Sequence, residues 1–277
     1  IISIWLHLIY IFGTIFKIRI ILLIMRLILY NVEYFSGNDG KTLNYFSFPF
    51  NRILKRNRIK KEICKSLKRY NPDILGFVEI DKGLFGTKLD YFKRRLNMPY
   101  SIEKVKYHFV NKFKILKYFP FFNKQCNAIL SKFKLHDTKF YYFKEGLKRA
   151  VLESSVDIPE HISLILVHLS LGFNEREKQI NELISITRKI GNPFIIMGDF
   201  NTFGGEKEIK NLLKNTDINH PFKTNKKSKI FTYPTYNPKK RFDYILTSKE
   251  IDVKKYEVLD LKYSDHLPIM IDFSVKK

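Results

Sequence analysis

The residues best suited to chemistry in this sequence stand at the ends of short apolar segments, which are typical of buried strands. A single Asn, Asp or His in such a place is usually a turn residue or a structural histidine, so none carries much weight alone. Their number carries more, because six separate segments each deliver an Asn, Asp, Glu or His. The residues are Asn31, Glu79, His168, Asp199 with Asn201, Asp243, and Asp265 with His266.

Together, these side chains have the composition of a site for a hard cation and a phosphoester. Carboxylates hold Mg²⁺, amides orient oxygen atoms, and imidazoles manage protons and charge. Layered α/β folds place active sites at strand ends and in the loops beyond them. The sequence therefore predicts an enzyme that hydrolyses a phosphoester with a bound metal ion.

Apolar strands and amphipathic helices alternate in groups along the chain. The spacing of Ile59, Ile63 and Leu67 predicts a helix, which residues 71–73 (NPD) end. Residues 100–125 receive no assignment. Strands outnumber helices, which favours one α/β layered domain with extensive sheet. We expect helices over 52–70, 89–96, 175–190 and 207–213, and strands over 26–32, 74–78, 128–130, 140–143, 150–156, 162–168, 194–197, 242–246, 253–259 and 269–273.

In this order, the motifs LYNV, FVE, VHLSLG, GDFN, RFDYIL and SDHLP resemble the endonuclease/exonuclease/phosphatase family, which includes DNase I-like nucleases, abasic-site endonucleases, sphingomyelinases and inositol-phosphate phosphatases. The combination of GDFN with SDHLP is specific, and the similarity runs from Met25 to Phe273. QCNAILS and LKRAVLE resemble the family's middle strands, although Cys126 stands where the family often has Gly. The resemblance implies a four-layer α/β/β/α sandwich, in which two mixed β-sheets pack face to face with helices outside.

The resemblance also implies which residues hold the metal. Glu79 is expected to be the main Mg²⁺ ligand, with Asn31 beside it, and Mn²⁺ is the expected substitute ion. Asp265 is expected to be a further ligand, directly or through water. Glu33 and Asp81 are close enough in sequence to assist, but we interpret them as exposed turn carboxylates.

The catalytic roles follow from the same resemblance. Asp199 is expected to orient and deprotonate the attacking water, since a carboxylate beside a bound phosphate and metal can act as a general base. Asn201 is expected to position the phosphate or the nucleophile, and His168 to donate to a phosphate oxygen. Asp243 is expected to accept a hydrogen bond from His266. This bond would fix the tautomer of the neutral ring and favour protonation to the imidazolium.

Substrate contacts are predicted from the middle strands and the long loops. Arg149 and Asn127 are the candidate substrate-binding residues of the LKRAVLE and QCNAILS stretches. Specificity is expected to come from loops at residues 35–50, 105–124 and 219–240. The second of these mixes Lys with Tyr and Phe, a composition that could stack bases or lie against a membrane interface. An ordinary half-buried loop explains it equally well.

Net charge and cysteine content limit the kinds of partner and of structural site that the chain can have. The net charge of +23 favours a polyanionic partner such as nucleic acid or an anionic membrane surface. The excess of Lys over Arg equally fits the coding bias of an AT-rich genome. Cys64 and Cys126 are far apart, which excludes a disulfide framework and disfavours a zinc site. Cys64 falls on an apolar helical face, which predicts a buried thiol.

Residues 1–24 are largely apolar, and Lys17 and Arg19 interrupt them. One interpretation is a marginal membrane anchor, whose basic residues keep the following domain in the cytoplasm. The other is that the sequence starts upstream of its true initiator, Met25. We favour the second because no Met stands at position 1. The predicted organisation is thus an N-terminal segment over 1–24 and a cytoplasmic phosphoesterase domain over 25–277.

Three functions remain open. A nuclease is favoured by the basic charge. A sphingomyelinase-like lipid or inositol-phosphate hydrolase is favoured by the apolar N-terminus. A non-catalytic, basic nucleic-acid-binding module on the same fold is disfavoured, because the chain keeps Glu79, Asp199 and His266.

Overall fold

A computed structural model of the protein describes residues 24–40, 49–81, 87–105, 125–191, 193–219 and 230–276. The described strands form two six-stranded sheets. The strands are β1 (Met25–Asn31), β2 (Ile74–Asp81), β3 (Tyr100–Val105), β4 (Gln125–Ser131), β5 (His136–Tyr142), β6 (Ala150–Ile158), β7 (Glu160–His168), β8 (Phe194–Asp199), β9 (Ile218–Asn219), β10 (Asp243–Ser248), β11 (Ile251–Val258) and β12 (Ile269–Val275). The helices are α1 (Pro49–Tyr70), α2 (Thr87–Leu96), α3 (Phe173–Thr187) and α4 (Lys210–Asn215), and short 3₁₀ segments span Glu33–Phe35 and Glu206–Ile209.

Both sheets are mixed and are built alike. Sheet A has the order β11-β12-β1-β2-β4-β3, and sheet B has the order β5-β6-β7-β8-β10-β9. In sheet A the central pair β1–β2 is parallel, and in sheet B the central pair β7–β8 is parallel. The remaining paired strands are antiparallel. Each sheet therefore brings two adjacent strand ends to the same edge of the molecule.

Three apolar layers hold the sheets and helices together. Alternate side chains of both sheets, such as Leu29 of β1 and Met197 of β8, form the core between the sheets. The opposite face of sheet A packs on α1 and α2 through residues such as Leu67 and Phe92. The opposite face of sheet B packs on α3 and α4. The predicted four-layer sandwich is confirmed.

Most predicted elements are present, with shifted ends. Two strands were missed. β3 lies in the unassigned stretch after residue 100, and β9 is only two residues long. Cys64 is buried against the core, as its place on the helix predicted.

Two predictions fall wholly or largely outside the described residues. These are the N-terminal segment, of which only Ile24 is described, and most of the loop over 105–124. Among the described residues, no helix is long and apolar enough to cross a membrane.

Candidate active site

The candidate site lies where the inner faces of both sheets reach one edge of the sandwich. Asn31 ends β1 on the face that carries Leu29, and Asp199 ends β8 on the face that carries Met197. The strand register then pairs Asp199 with His168 of β7 and with Asp243 of β10. Regular alternation along four strands thus brings these polar side chains together.

Glu79 reaches the site by a different route, through a β-bulge. The register of β2 against β4 shifts between Phe77 and Ile80, and Glu79 has a φ of 55° within the strand. Both features re-aim a side chain that regular alternation would turn towards the helices. The Glu79 backbone N–H donates to Asn127 Oδ1 at 3.2 Å. Asn127 therefore stabilises the bulge that presents the carboxylate.

Asp199 is the centre of the site. Its Oδ2 accepts from Asn31 Nδ2 at 3.0 Å and lies 3.4 Å from His168 Nε2 and 3.9 Å from His266 Nε2. Its Oδ1 accepts from the backbone N–H of Asn201 at 2.9 Å. Burial raises the pKa of Asp199 to about 6, with a further contribution from the charge of Asp243. A buried carboxylate with this pKa suits proton transfer near neutral pH.

His266 and Asp243 form a buried hydrogen-bonded pair. His266 Nδ1 lies 2.7 Å from Asp243 Oδ2, and both residues are almost completely shielded from water. Burial opposes a positive charge on His266, but the carboxylates of Asp243, Asp265 and Asp199 outweigh it and raise its pKa well above the ordinary value. These contacts favour the predicted imidazolium, whose Nδ1–H donates to Asp243.

Lys148 is a site residue that the sequence analysis missed. Its Nζ lies within hydrogen-bonding distance of His168 Nε2 and 3.9 Å from Glu79 Oε1. His168 Nδ1 in turn lies 3.8 Å from the same Glu79 oxygen. The predicted candidate, Arg149, points differently, and its Nε donates to the Gly146 carbonyl at 2.6 Å. The alternation of side chains along β6, extended two residues before Ala150, could have predicted Lys148, because residues 148 and 150 point to the same inner face.

The remaining predicted residues lie in or beside this cluster. Asn201 Nδ2 donates to the Leu169 carbonyl at 2.8 Å, which fixes the turn after Asp199. Asp265 is buried next to His266, and its Oδ1 accepts from Ser264 Oγ at 3.2 Å. Ser264 Oγ also lies 2.8 Å from the Asn31 carbonyl, so this serine, another residue missed in the sequence, ties the two segments together. Substrate contact by Arg149 and Asn127 stays a prediction.

The comparison with protein families agrees with this arrangement. The model of the endonuclease/exonuclease/phosphatase family matches residues 28–266, which is most of the chain. The chain belongs to this family. Its site residues, from Asn31 to His266, all fall within the matched range.

The relatives that match by sequence are only distantly similar to this chain. A UPF0294 protein of Vibrio vulnificus strain CMCP6 is 26% identical over 136 residues, which are 48% of this chain and 45% of the relative. Its counterpart in strain YJ016 is 25% identical over 118 residues, 41% of this chain and 39% of the relative. The matches thus cover less than half the length of these curated relatives.

Solved structures show the same fold at low identity. An endonuclease/exonuclease/phosphatase from Beutenbergia cavernae aligns with a TM-score of 0.70 and 13% identity over 91% of this chain and 72% of its own. TDP2 from Caenorhabditis elegans aligns with a TM-score of 0.66 and 17% identity over 91% and 75%. A conserved protein of unknown function from Enterococcus faecalis aligns with a TM-score of 0.68 and 14% identity over 91% and 100%. The likeness shows the fold alone.

A group of carboxylates in this family member is suited to a hard cation. Burial raises the pKa of Asp265, and the nearby negative charge of Glu79 adds to the effect. Burial and the charge of Asp265 likewise raise the pKa of Glu33 to about 7. Carboxylates that oppose each other's charge in a buried site are stabilised by a divalent ion bound to their oxygens. The donor set at the Glu79 end of the site therefore fits Mg²⁺.

The interpretation of Glu33 and Asp81 as exposed turn carboxylates was wrong. Glu33 is half-buried, Ser36 Oγ donates to its carboxylate, and the charges of Asp265 and Glu79 act on it. Asp81 is buried at the end of β2, where Lys88 Nζ lies 2.5 Å from its Oδ2. Sequence alone did not show these environments, because the covering residues come from a 3₁₀ segment and from α2. Glu33 therefore lies near the candidate ligands Asp265 and Glu79, whereas Asp81 is paired with Lys88.

A second donor group could also hold an ion. Ligand atoms of Asp199, Asp243 and His266 lie within 4.8 Å of one another. The hydrogen bond between Asp243 and His266, and the raised pKa of His266, favour proton handling over metal ligation there. Asp243 Oδ1 is buried without a hydrogen-bond partner, so this oxygen can still accept a hydrogen bond.

An aromatic series leads from the candidate site to the surface. The ring of Tyr233 lies 5.0 Å from that of His266 and 4.8 Å from that of Phe242. Phe203, which is 47% exposed, lies 4.7 Å from Phe242. Lys240 Nζ lies 5.0 Å from the Phe203 ring centre. The series ends in an exposed aromatic ring beside a cation.

On the other side of Lys148 lies an open cavity of about 440 Å³. Its lining combines the cations Lys148 and Arg149 with the exposed apolar side chains of Leu147 and Leu171. Arg176 anchors the loop beneath Leu171, since its guanidinium donates to the carbonyls of residues 170–172. The cavity has the size of a small-ligand pocket and adjoins the candidate site through Lys148.

Proposed function

We propose that this protein is a Mg²⁺-dependent phosphodiesterase that cleaves nucleic acid, and that Mn²⁺ can replace Mg²⁺. The observation that carries the proposal is the position of Asp199. One oxygen of its buried carboxylate accepts from Asn31 and lies near both His168 and His266, while the other accepts from Asn201. A carboxylate held in this way can accept a proton from water beside groups that bind a phosphate.

The chain's own residues divide the work of hydrolysis. Asp199 orients the attacking water and takes its proton, which its raised pKa favours. His266, paired with Asp243, places positive charge where negative charge grows on the phosphoryl oxygens. His168 lies beside the same Asp199 oxygen, and Lys148, next to His168, adds a positively charged donor for a phosphate oxygen. Asn201 keeps the Asp199 turn in place.

Glu79 and Asn31 would hold the metal, with Asp265 as a further ligand and Glu33 close by. Mg²⁺ bound there supplies Lewis-acid polarisation of a phosphoryl oxygen. Asn127 supports this group from behind, because its side chain holds the Glu79 backbone. The loss of Asn127 should therefore weaken metal binding without removing a ligand.

Charge and aromatic residues favour nucleic acid as the substrate. A net charge of +23 attracts a polyphosphate backbone. The exposed ring of Phe203, with Lys240 beside it, offers a surface on which a base can stack while its phosphate lies near a cation. The series through Phe242 and Tyr233 connects this ring to His266.

One observation favours a lipid or inositol phosphate as the second candidate substrate. Leu147 and Leu171, which line the cavity beside Lys148, are both more than half exposed, and so is Phe173, two residues after Leu171. Such residues around a polar site could enter the surface of a membrane.

We assign the activity to the domain over 25–277 and place that domain in the cytoplasm.

The test is hydrolysis of a substrate panel by the full 277-residue chain with Mg²⁺, with Mn²⁺ and with EDTA. The panel holds supercoiled plasmid, abasic duplex, single-stranded RNA, sphingomyelin vesicles and a soluble inositol phosphate. We expect a nucleic acid to be cut only with metal, and we expect Glu79→Ala to abolish cutting. Glu160→Gln, which removes an exposed carboxylate at the start of β7, is the matched control.

Each other result identifies an alternative. Cleavage of sphingomyelin or inositol phosphate alone would replace the nuclease with the second candidate. Tight DNA binding without any cleavage, in either metal, would favour the non-catalytic binding module. Cleavage that survives EDTA and Glu79→Ala would contradict the metal-dependent mechanism.

A further inference from the structure

A second group of histidine and aspartate side chains lies on sheet B, on the face turned away from sheet A. His136 opens β5, Asp157 is near the end of β6, and His161 is near the start of β7. The register pairs His136 with Ser155, and Asp157 with His161, so three adjacent strands bring these side chains to one face. His161 and His168 are seven residues apart on β7, which separates this group from the candidate active site by about 23 Å.

His136 is oriented as metal-binding histidines are. Its Nδ1 lies 2.9 Å from Asp137 Oδ2, whereas its Nε2 is shielded from solvent and faces the Asp157 carboxylate. A carboxylate on one ring nitrogen fixes the tautomer and leaves the lone pair of the other nitrogen for a metal ion. A β-bulge between His136 and Lys139, with a φ of 48° at Asp137, sets this pairing.

Further donors surround the same point. Asp157 Oδ2 lies 3.2 Å from His136 Nε2, and Asp157 Oδ1 lies 3.0 Å from His161 Nδ1. The two imidazole rings are 5.1 Å apart. Ligand atoms of His136, Asp137 and His161 lie within 4.8 Å of one another. Ligands of a tetrahedral Zn²⁺ ion lie roughly 3.3 Å apart, so small side-chain rotations would complete the geometry.

We propose that His136, His161 and Asp157 bind one Zn²⁺-class ion, with Asp137 orienting His136. Two imidazoles with carboxylate oxygen select Zn²⁺, Ni²⁺ or Cu²⁺ over Mg²⁺. The site thus differs in ion preference from the oxygen-rich group around Glu79. An ion bound there joins β5, the edge strand of sheet B, to β6 and β7 and stabilises the folded chain.

The first experiment counts bound zinc in the full chain by equilibrium dialysis and elemental analysis, with excess Mg²⁺ present. We expect the double variant His136→Gln/His161→Gln to bind one Zn²⁺ fewer than the parent, and Glu160→Gln to bind as many as the parent. Zn²⁺ at about a hundredfold over its Kd should raise the Tm of the parent by about 5 °C or more. The double variant should lose most of that rise. Equal zinc binding in parent and double variant would overturn the proposal.

A second measurement does not depend on the variants folding. In the unmodified chain, long-range ¹H–¹⁵N correlations report on each imidazole, and we expect Zn²⁺ but not Mg²⁺ to shift the signals of His136 and His161. Signals of both rings that stay unchanged under saturating Zn²⁺ would contradict the site. The group would then be a solvated set of ion pairs, which contributes little to stability.

Discussion

Two groups of His and Asp side chains lie at opposite ends of sheet B, and their contact distances are similar. In the candidate active site, His266 Nδ1 lies 2.7 Å from Asp243 Oδ2, and at the other end of the sheet His136 Nδ1 lies 2.9 Å from Asp137 Oδ2. The side chains of the first pair are 7% and 2% exposed, whereas those of the second are 28% and 66% exposed. The groups differ in burial, not in contact.

Burial decides what each pair can do. In the buried group, three carboxylates act on His266 through a low dielectric and raise its pKa well above the ordinary value against the cost of desolvation. In the exposed group, water and salt screen the same kind of contact. A buried pair can therefore hold a charge for chemistry, while the exposed pair is better suited to exchange its protons for a metal ion.

The largest expected difference between the groups is in catalysis. His266→Ala and Asp199→Ala should each lower the rate of phosphoester hydrolysis by at least about a hundredfold, the scale for losing an acid or base group. His161→Ala, at the exposed end, should leave the rate within about twofold. Steady-state kinetics on the substrate found in the panel measures all three. Near-parental rates for both Asp199→Ala and His266→Ala would break the assigned mechanism.

A smaller effect is expected at Lys148. Lys148→Ala removes a charged donor next to His168, and such bonds are worth about 1.5–3 kcal/mol, or roughly ten- to a hundredfold in rate. Arg149→Ala is the matched control, because it removes the neighbouring cation, which faces away and bonds Gly146. We expect less than about threefold loss there. An equal loss in both variants would support the predicted substrate contact by Arg149.

The fold and the centre of the site could be predicted because they depend on local patterns. Apolar runs define the strands. Polar residues at a strand terminus, such as Asn31 and Asp199, mark where the strand reaches the edge of the apolar core. Alternation would also have favoured Lys148 over Arg149, had it been extended beyond Ala150. The motif match instead drew attention to the arginine.

The remaining features depend on contacts that no local pattern contains. The bulge at Glu79 reverses the face that alternation assigns to it, and it requires Asn127 from another strand. Similarly, His136 and His161 are brought together only by the register of β5, β6 and β7. Burial of Asp81 depends on Lys88 from α2.

The pH dependence of activity tests the role of Asp199 in the buried group. Asp199 must be ionised to take a proton, and its pKa is about 6 in the metal-free protein. We therefore expect kcat/KM, measured at saturating metal, to decrease as the pH falls, with an acid limb no higher than about pH 6. A nearby cation would move this limb downward. A profile that stays flat down to pH 4 would contradict Asp199 as the base.

The smallest expected effect is on the pH dependence of stability at the exposed end. The hydrogen bond to Asp137 is the largest cause that raises the pKa of His136 above its ordinary value of 6.5. The stabilisation that follows is complete below pH 6.5 and is lost as the pH rises through the folded-state pKa. The parent should therefore lose slightly more stability between pH 6 and pH 8 than His136→Gln does.

Thermal unfolding at pH 6 and pH 8, in EDTA to exclude metal, measures this difference, which we expect to be at most about 3 °C in Tm. His266 titrates alike in both proteins and cancels. Asp157, whose pKa the hydrogen bond from His161 lowers, stays ionised across this range and adds nothing. A difference of the opposite sign would show that His136 is neutral in the folded chain. A much larger difference would show that the exposed group is coupled to its surroundings as strongly as the buried one.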